Sequence, residues 1–269
     1  MFTPLVLATL MAAPAQGGGL SLVNIASTYG ILGPVRANTA LLPGDVLCVR
    51  FDIDGITIAK DGKVTYTMQQ EVIDKAGEST FKPDAVNRVD QAPLGGGKLP
   101  GYTFVTAGLD LPPGEYTLKM TVTDNAAAAN KATKSFDQKF TVRKADFGIV
   151  AVYASADHQG RLPAATTGVV GGSIFLHFSA VGFEKDKVKK QPDLVFEMVP
   201  VENGKPTTDA AAVWEVKDGV DEKDATYSMR YPVPFTRPGK FAVRLTVTDK
   251  ITKKTATVDV PVTVLPADK

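Results

Sequence analysis

Residues 112–124 read PPGEYTLKMTVTD, and residues 237–249 read RPGKFAVRLTVTD, 125 positions further along the chain. In the first stretch Tyr116, Leu118, Met120 and Val122 alternate with Thr117, Lys119, Thr121 and Thr123. In the second, Phe241, Val243, Leu245 and Val247 alternate with Ala242, Arg244, Thr246 and Thr248. A period of two puts one set on each face of a β-strand, apolar inward and polar outward. Pro113-Gly114 and Pro238-Gly239 turn the chain into each strand, because proline presets one backbone angle and glycine accepts a positive φ.

The correspondence extends both ways. FDIDGI (51–56) stands against FSAVGF (178–183), and VTYTM (64–68) against LVFEM (194–198). Tyr102 and Tyr227 are 125 apart, and FTV (140–142) matches VTV (262–264). The offset drifts from 127 through 130 and 125 to 122 while the order holds, as expected when strands are kept and loops change.

Each half offers about seven short strands. In the first they fall near 20–27, 46–53, 63–72, 79–82, 102–107, 115–123 and 135–142. In the second they fall near 147–154, 173–181, 193–201, 212–217, 226–232, 240–248 and 255–264. Turn signals such as Pro43-Gly44, Asp61-Gly62, Gly171-Gly172 and Asn203-Gly204 separate them. No long stretch has a helical period. The expected fold is all-β: two tandem antiparallel β-sandwich domains, 16–143 and 144–269, behind an N-terminal signal segment, 1–15. The short junction RKADFG (143–148) predicts end-to-end domains with limited freedom.

The repeated phrase resembles the penultimate strand of bacterial immunoglobulin-like and fibronectin-III-like domains. The resemblance implies exported adhesion, spacer, carbohydrate-binding or assembly modules, and it bears on fold far more than on function. Two features depart from the antibody pattern: no inter-sheet disulfide can form, and Phe241 lacks the hydroxyl of a tyrosine corner.

With 30 basic and 29 acidic residues, the net charge is +1. The balance holds in both halves, so no basic face for nucleic acid is expected. The N-terminus, MFTPLVLATLMAAPAQGGG, has an apolar run and then Ala13-Pro14-Ala15, the small-residue spacing that signal peptidase accepts. No Lys or Arg precedes the run. The expectation is an exported chain, secreted, periplasmic or at the cell surface, with no transmembrane segment after cleavage.

Residues that could carry chemistry are few. Cys48, the one cysteine, lies in register with Arg50 and Asp52, opposite the core set Leu47, Val49, Phe51 and Ile53. It is expected to be an unreactive thiol under a loop or the neighbouring domain, or else the link of a disulfide dimer. His158 and His177 sit on separate elements and are expected to be solvated, with no nucleophile motif beside them. Asp52 and Asp54 share one strand face and Asp124 ends the repeated strand, so these are calcium candidates, or else solvated turn acids. No cofactor is expected. Trp214 is expected in the core; its alternative is an exposed ring beside Tyr227 or Tyr231 for stacking on sugar.

The expected function is a non-enzymatic exported module that binds a protein or organises the cell envelope. Its recognition loops would be 83–101 and the hairpin loop after Asp124, with Asn125, Asn130 and Lys131; that loop is three residues longer than its counterpart after Asp249. The alternative is a carbohydrate-binding module centred on Trp214, with an envelope polysaccharide as partner. A hydrolase using Asp52 or His177 is the third possibility. The chain is expected to be a monomer or a Cys48-linked dimer.

Overall fold

The computed structural model describes residues 19–126 and 132–267. The signal segment, and Asn130 and Lys131, lie outside the described residues. Among the described residues every regular element is a strand. No helix there is long and apolar enough to cross a membrane.

The first half contains β1 (Ser21–Thr28), β2 (Ala40–Leu41), β3 (Val46–Asp54), β4 (Lys63–Asp74), β5 (Ser79–Phe81), β6 (Val86–Gln91), β7 (Lys98–Thr106), β8 (Gly114–Asp124) and β9 (Thr133–Val142). The second contains β10 (Gly148–Ser155), β11 (Thr167–Val169), β12 (Ser173–Val181), β13 (Leu194–Glu202), β14 (Lys205–Pro206), β15 (Ala212–Val216), β16 (Thr226–Pro234), β17 (Gly239–Asp249) and β18 (Lys254–Leu265).

The strands form four sheets in two sandwich-like units. In the first unit, β1-β3-β7 faces β2-β9-β8-β4, with β5 and β6 both on the outer edge of β4. In the second, β10-β12-β16 faces β11-β18-β17-β13, with β14 and β15 on the outer edge of β13. The two short strands β2 and β11 run parallel to β9 and β18, so in each unit the chain crosses from one sheet to the other near its start.

The repeat is visible in the backbone itself. β1 bulges between Val23 and Ala26, and β10 between Val150 and Tyr153. Each bulge holds a non-glycine residue in the left-handed region, Asn24 at φ 54° and Ala151 at φ 52°. Gly44 and Gly171 both sit at φ 90° in the turn before the next strand.

Each unit has its own core. Leu47, Val49, Phe51 and Ile53 point inward as expected and pack on Val64, Tyr66, Leu118, Met120 and Val122. Leu176, Phe178, Leu194, Phe196, Val243, Leu245 and Val247 make the second core. Burying one such side chain contributes about 1.5–3 kcal/mol, so these two clusters dominate stability. A small third cluster, Leu42 with Val150 and Val181, lies between the units. It fits tightly: a Cβ on Gly148 would come within 2.2 Å of Leu42 Cδ1.

The pairing corrects two sequence alignments. Val122 of β8 pairs with Met68, and its counterpart Val247 pairs with Phe196, so Met68 corresponds to Phe196. Matching VTYTM to LVFEM is therefore two residues out, a slip that keeps each side chain on its face. Arg50 pairs with Tyr102, and its counterpart His177 pairs with Arg230, so Tyr102 corresponds to Arg230 and not to Tyr227. That slip is odd and puts the two tyrosines on opposite faces.

Candidate functional site

The aspartate that ends the repeated phrase is structural. Asp124 is buried, and its carboxylate accepts the N–H of Thr57, from the loop after β3, at 2.8 Å and that of Ala126 at 2.9 Å. Asp249 is fully buried and accepts from Glu184 N, Ile251 N and Thr252 Oγ1. In each unit the carboxylate caps its own hairpin and pins the loop of the opposite sheet. Asp52 instead accepts the side-chain N–H of Asn24, the bulge residue, at 2.7 Å. Asp54 lies 3.9 Å from the Lys98 ammonium. Among the described residues no three His, Cys, Asp or Glu side chains converge as a metal ion requires.

Asn125 also serves the fold. Its amide donates to Thr67 Oγ1 at 2.7 Å, and that hydroxyl donates to Asn87 Oδ1 at 2.8 Å, which ties the start of the hairpin loop to β4 and β6.

His177 is not solvated as expected. It is buried, stacks on Tyr153 at 4.6 Å with the rings 7° from parallel, and meets Ser155 Oγ through Nε2 at 2.7 Å. Burial holds the imidazole pKa below its ordinary value. A Ser–His contact is the start of a nucleophilic site, but here the serine has no access and the wrong polarity. Ser155 is fully buried, and its hydroxyl donates to the Asp157 carbonyl. The imidazole is then the donor to Ser155 Oγ and cannot act as its base. His158 is exposed, as expected, with its ring edge toward Phe175.

Cys48 is 1% exposed. Its strand register faces away from the core, but that face is covered by the second unit: the thiol borders a cavity of about 360 Å³ with Phe104 and Tyr153. Burial pushes the thiol pKa up, against a hydrogen bond with Thr28. This matches a thiol packed beneath a neighbouring unit.

The exposed apolar side chains concentrate elsewhere. Phe81, Val86, Val89, Leu94, Tyr102 and Phe104 all fall between residues 81 and 104. Every residue of β5 and β6 is exposed. This corrects the expectation of an irregular loop over 83–101, because β6 is a strand paired with β4 from Met68↔Val86 to Lys63↔Gln91. Its anchor is Tyr66, whose hydroxyl donates to Asp90 at 2.6 Å. Among the described residues β6 pairs with β4 alone, so its other backbone edge is open to them. Sequence reading missed it for a physical reason. A strand with both faces in water needs no apolar alternation, and Val86 and Val89 are spaced by three.

Trp214 is not core. It is 38% exposed on β15, with its ring edge-on to Tyr231 at 4.9 Å. β15 occupies in the second unit the place of β6 in the first. Trp214 pairs with Phe196 and Val86 pairs with Met68, so the two exposed apolar residues are equivalent positions.

No family model matches the chain, and no curated protein matches it. Among solved structures, red sea bream transglutaminase is similar at 12% identity and TM-score 0.28, over 94% of this chain and 32% of that one. The C-terminal domain of the Streptococcus agalactiae AgI/II polypeptide BspA is similar at 8% identity and TM-score 0.31, over 90% of this chain and 100% of the domain. A family 123 glycoside hydrolase from Clostridium perfringens is similar at 13% identity and TM-score 0.29, over 46% of this chain and 27% of that one. The chain thus spans about a third of the transglutaminase. Likenesses at this level carry no argument about function.

Proposed function

We propose that the chain is an exported, non-catalytic binding module, and that its contact surface is the β5–β6 edge of the first unit. The observation behind this reading is the open edge of β6 flanked by exposed Val86 and Val89. Sheet edges in soluble proteins are usually covered or heavily charged, because an open edge recruits strands. An extended segment of a protein partner would add beside β6 through main-chain hydrogen bonds, with the two valines supplying apolar contact. Tyr102 and Phe104, edge-to-face at 5.6 Å, belong to β7 of the facing sheet, and Phe104 also borders the Cys48 cavity.

The test compares capture from an envelope extract of the source organism by the whole chain and by a Val86→Lys/Val89→Lys variant. Both valines are exposed, so the variant should fold. A protein retained by the parent and lost from the variant supports the edge. Equal retention by both, or none by either, removes it. The second reading, a carbohydrate site, is favoured by the exposure of Trp214 beside Tyr231. In that case soluble envelope glycans quench the single tryptophan, and Trp214→Ala abolishes retention of polysaccharide.

A further inference from the structure

A cleft of about 320 Å³ enters between the two sheets of the second unit, beside the connection from β14 to β15. Met198, Tyr231, Phe235, Phe241, Val243 and Val262 line it.

In the first unit the corresponding rings meet each other, and the opening they border, of about 390 Å³, is lined mainly by polar residues such as Asp74, Glu115 and Lys139. There Tyr116 stacks on Phe140 at 5.5 Å, 18° from parallel. Phe140 pairs with Tyr116 and Val262 pairs with Phe241, so an isopropyl group stands where the first unit has a buried ring. The compensating ring, Phe235, does not fill the gap. It turns toward Gly168, whose added Cβ would meet Phe235 Cε2 at 2.3 Å. Leu118 corresponds to the smaller Val243. At the edge, the Thr103 hydroxyl donates to Gln70 at 2.7 Å and closes the first unit across its sheets; Met198 and Tyr231 hold those places in the second.

Protein interiors are close-packed, so a gap that reaches the core residues Val243 and Val262 between the two sheets is room the packing leaves unfilled. An engineered apolar cavity of about 150 Å³ holds a benzene ring, and this volume accommodates two or three rings. The mouth carries no free charge from its guanidinium: Arg237 makes two hydrogen bonds to Glu202, at 3.1 and 2.8 Å, and lies over the Phe241 ring. A charged ligand would have to break that pair. Aromatic walls on several sides favour a flat apolar guest.

We infer that this cleft is a binding site for an uncharged aromatic small molecule of two or three rings. The site lies on the second unit and is independent of the β6 contact surface.

The test is titration of the whole chain with N-phenyl-1-naphthylamine, an uncharged probe that brightens in apolar surroundings and absorbs where tryptophan emits. Trp214 packs on Tyr231, a wall of the cleft, and is the one tryptophan. Saturable brightening should therefore be accompanied by loss of Trp214 emission. Val262→Phe and Val243→Leu, each the residue the first unit uses, should weaken binding at least tenfold. Thermal melting confirms that each variant folds, and either folded variant suffices. No saturable binding overturns the inference. So does binding that leaves Trp214 emission unchanged, or binding that a folded variant retains, since the probe would then sit elsewhere, as in the cavity beside Cys48.

Discussion

Oδ1 of Asp45, in the first unit, accepts the backbone N–H of Ala151, in the second, at 2.9 Å. The other oxygen of Asp45 takes Arg36 Nη2 at 2.7 Å, and both side chains are 8% exposed. Arg36 also donates to the Val46 carbonyl and lies over the Tyr29 ring. One carboxylate therefore neutralises a buried cation and holds the bulge of the next unit. Asp45→Ala leaves Arg36 charged and unpaired in a dry site, and breaking such a pair costs about 3–5 kcal/mol. The expected result is a matching loss in urea-unfolding free energy, together with faster proteolysis in the 143–148 junction. A loss below about 1 kcal/mol would show that water replaces the carboxylate.

Ala151 itself is strained. A left-handed φ costs an ordinary L-residue about 1–2 kcal/mol, and glycine escapes most of that. Ala151→Gly should therefore raise the unfolding free energy by about 0.5–1 kcal/mol. Asn24, its counterpart, belongs to a type that tolerates this conformation and donates its side-chain N–H to Asp52, so Asn24→Gly should bring no such gain. Equal effects at the two bulges would contradict this account.

Asp249 faces donors only. Asparagine there would turn an N–H against one of the N–H or O–H groups it now accepts. An unsatisfied buried donor costs about 1–3 kcal/mol, so Asp249→Asn should lower stability by that amount. Both carboxylates of the repeated phrase are engaged by donors from their own unit. Accordingly, calcium should leave the melting temperature unchanged, and so should a chelator. A calcium-dependent rise would restore the acids Asp52, Asp54 and Asp124 as ligands.

Burial lowers the His177 pKa, so the unfolded chain takes up a proton at a pH where the folded chain does not. Stability from this group is fully present above about pH 6.5, the unfolded value. It is lost as pH falls from there toward the lower folded value. The carboxylates with lowered pKa, among them Asp146 and Glu202, act only below their ordinary range and do not share this window. The chain should melt at a lower temperature at pH 5 than at pH 7. In His177→Phe, where the ring still stacks on Tyr153, that difference should shrink. An unchanged difference would assign the pH dependence to other groups.

The fold was legible wherever one strand face is buried. The alternation in β3, β8 and β17 marks the core sets, and both proline–glycine turns stand where the strands begin. What escaped reading depends on contacts between segments remote in sequence. β6 has no buried face to impose a pattern. Cys48 reads as an outward residue because the cover over it comes from a unit some hundred residues later. His177 reads as solvated because its neighbours Tyr153 and Ser155 belong to a paired strand. Trp214 reads as core because large aromatic rings usually are, but it sits on the edge strand β15, where it meets Tyr231 of the facing sheet and stays 38% exposed. The repeat itself misleads when it is aligned by letters, since only pairing fixes register.

The two units solve one corner differently. Tyr116 donates its hydroxyl to the Pro112 carbonyl at 2.8 Å, four residues back, a tyrosine corner that the first unit retains. At the corresponding positions in the second unit, Arg237 lies over the Phe241 ring at 4.7 Å. A hydrogen bond in one unit thus stands where a cation–π contact stands in the other. Tyr116→Phe removes only the hydroxyl and keeps the stack on Phe140, so the expected cost is about 0.5–1.5 kcal/mol. Arg237→Met keeps the apolar stem over Phe241 but loses the charge and the Glu202 pair. Because that pair is exposed, the expected cost is smaller than that of Tyr116→Phe. The two costs also differ in their response to salt, which screens the exposed Arg237–Glu202 pair and leaves the neutral Tyr116 bond alone. Urea unfolding at low and high ionic strength should show the Arg237→Met penalty shrinking in salt and the Tyr116→Phe penalty holding. Equal salt dependence for both would mean that the corner in the second unit is held by packing, with the guanidinium charge contributing nothing.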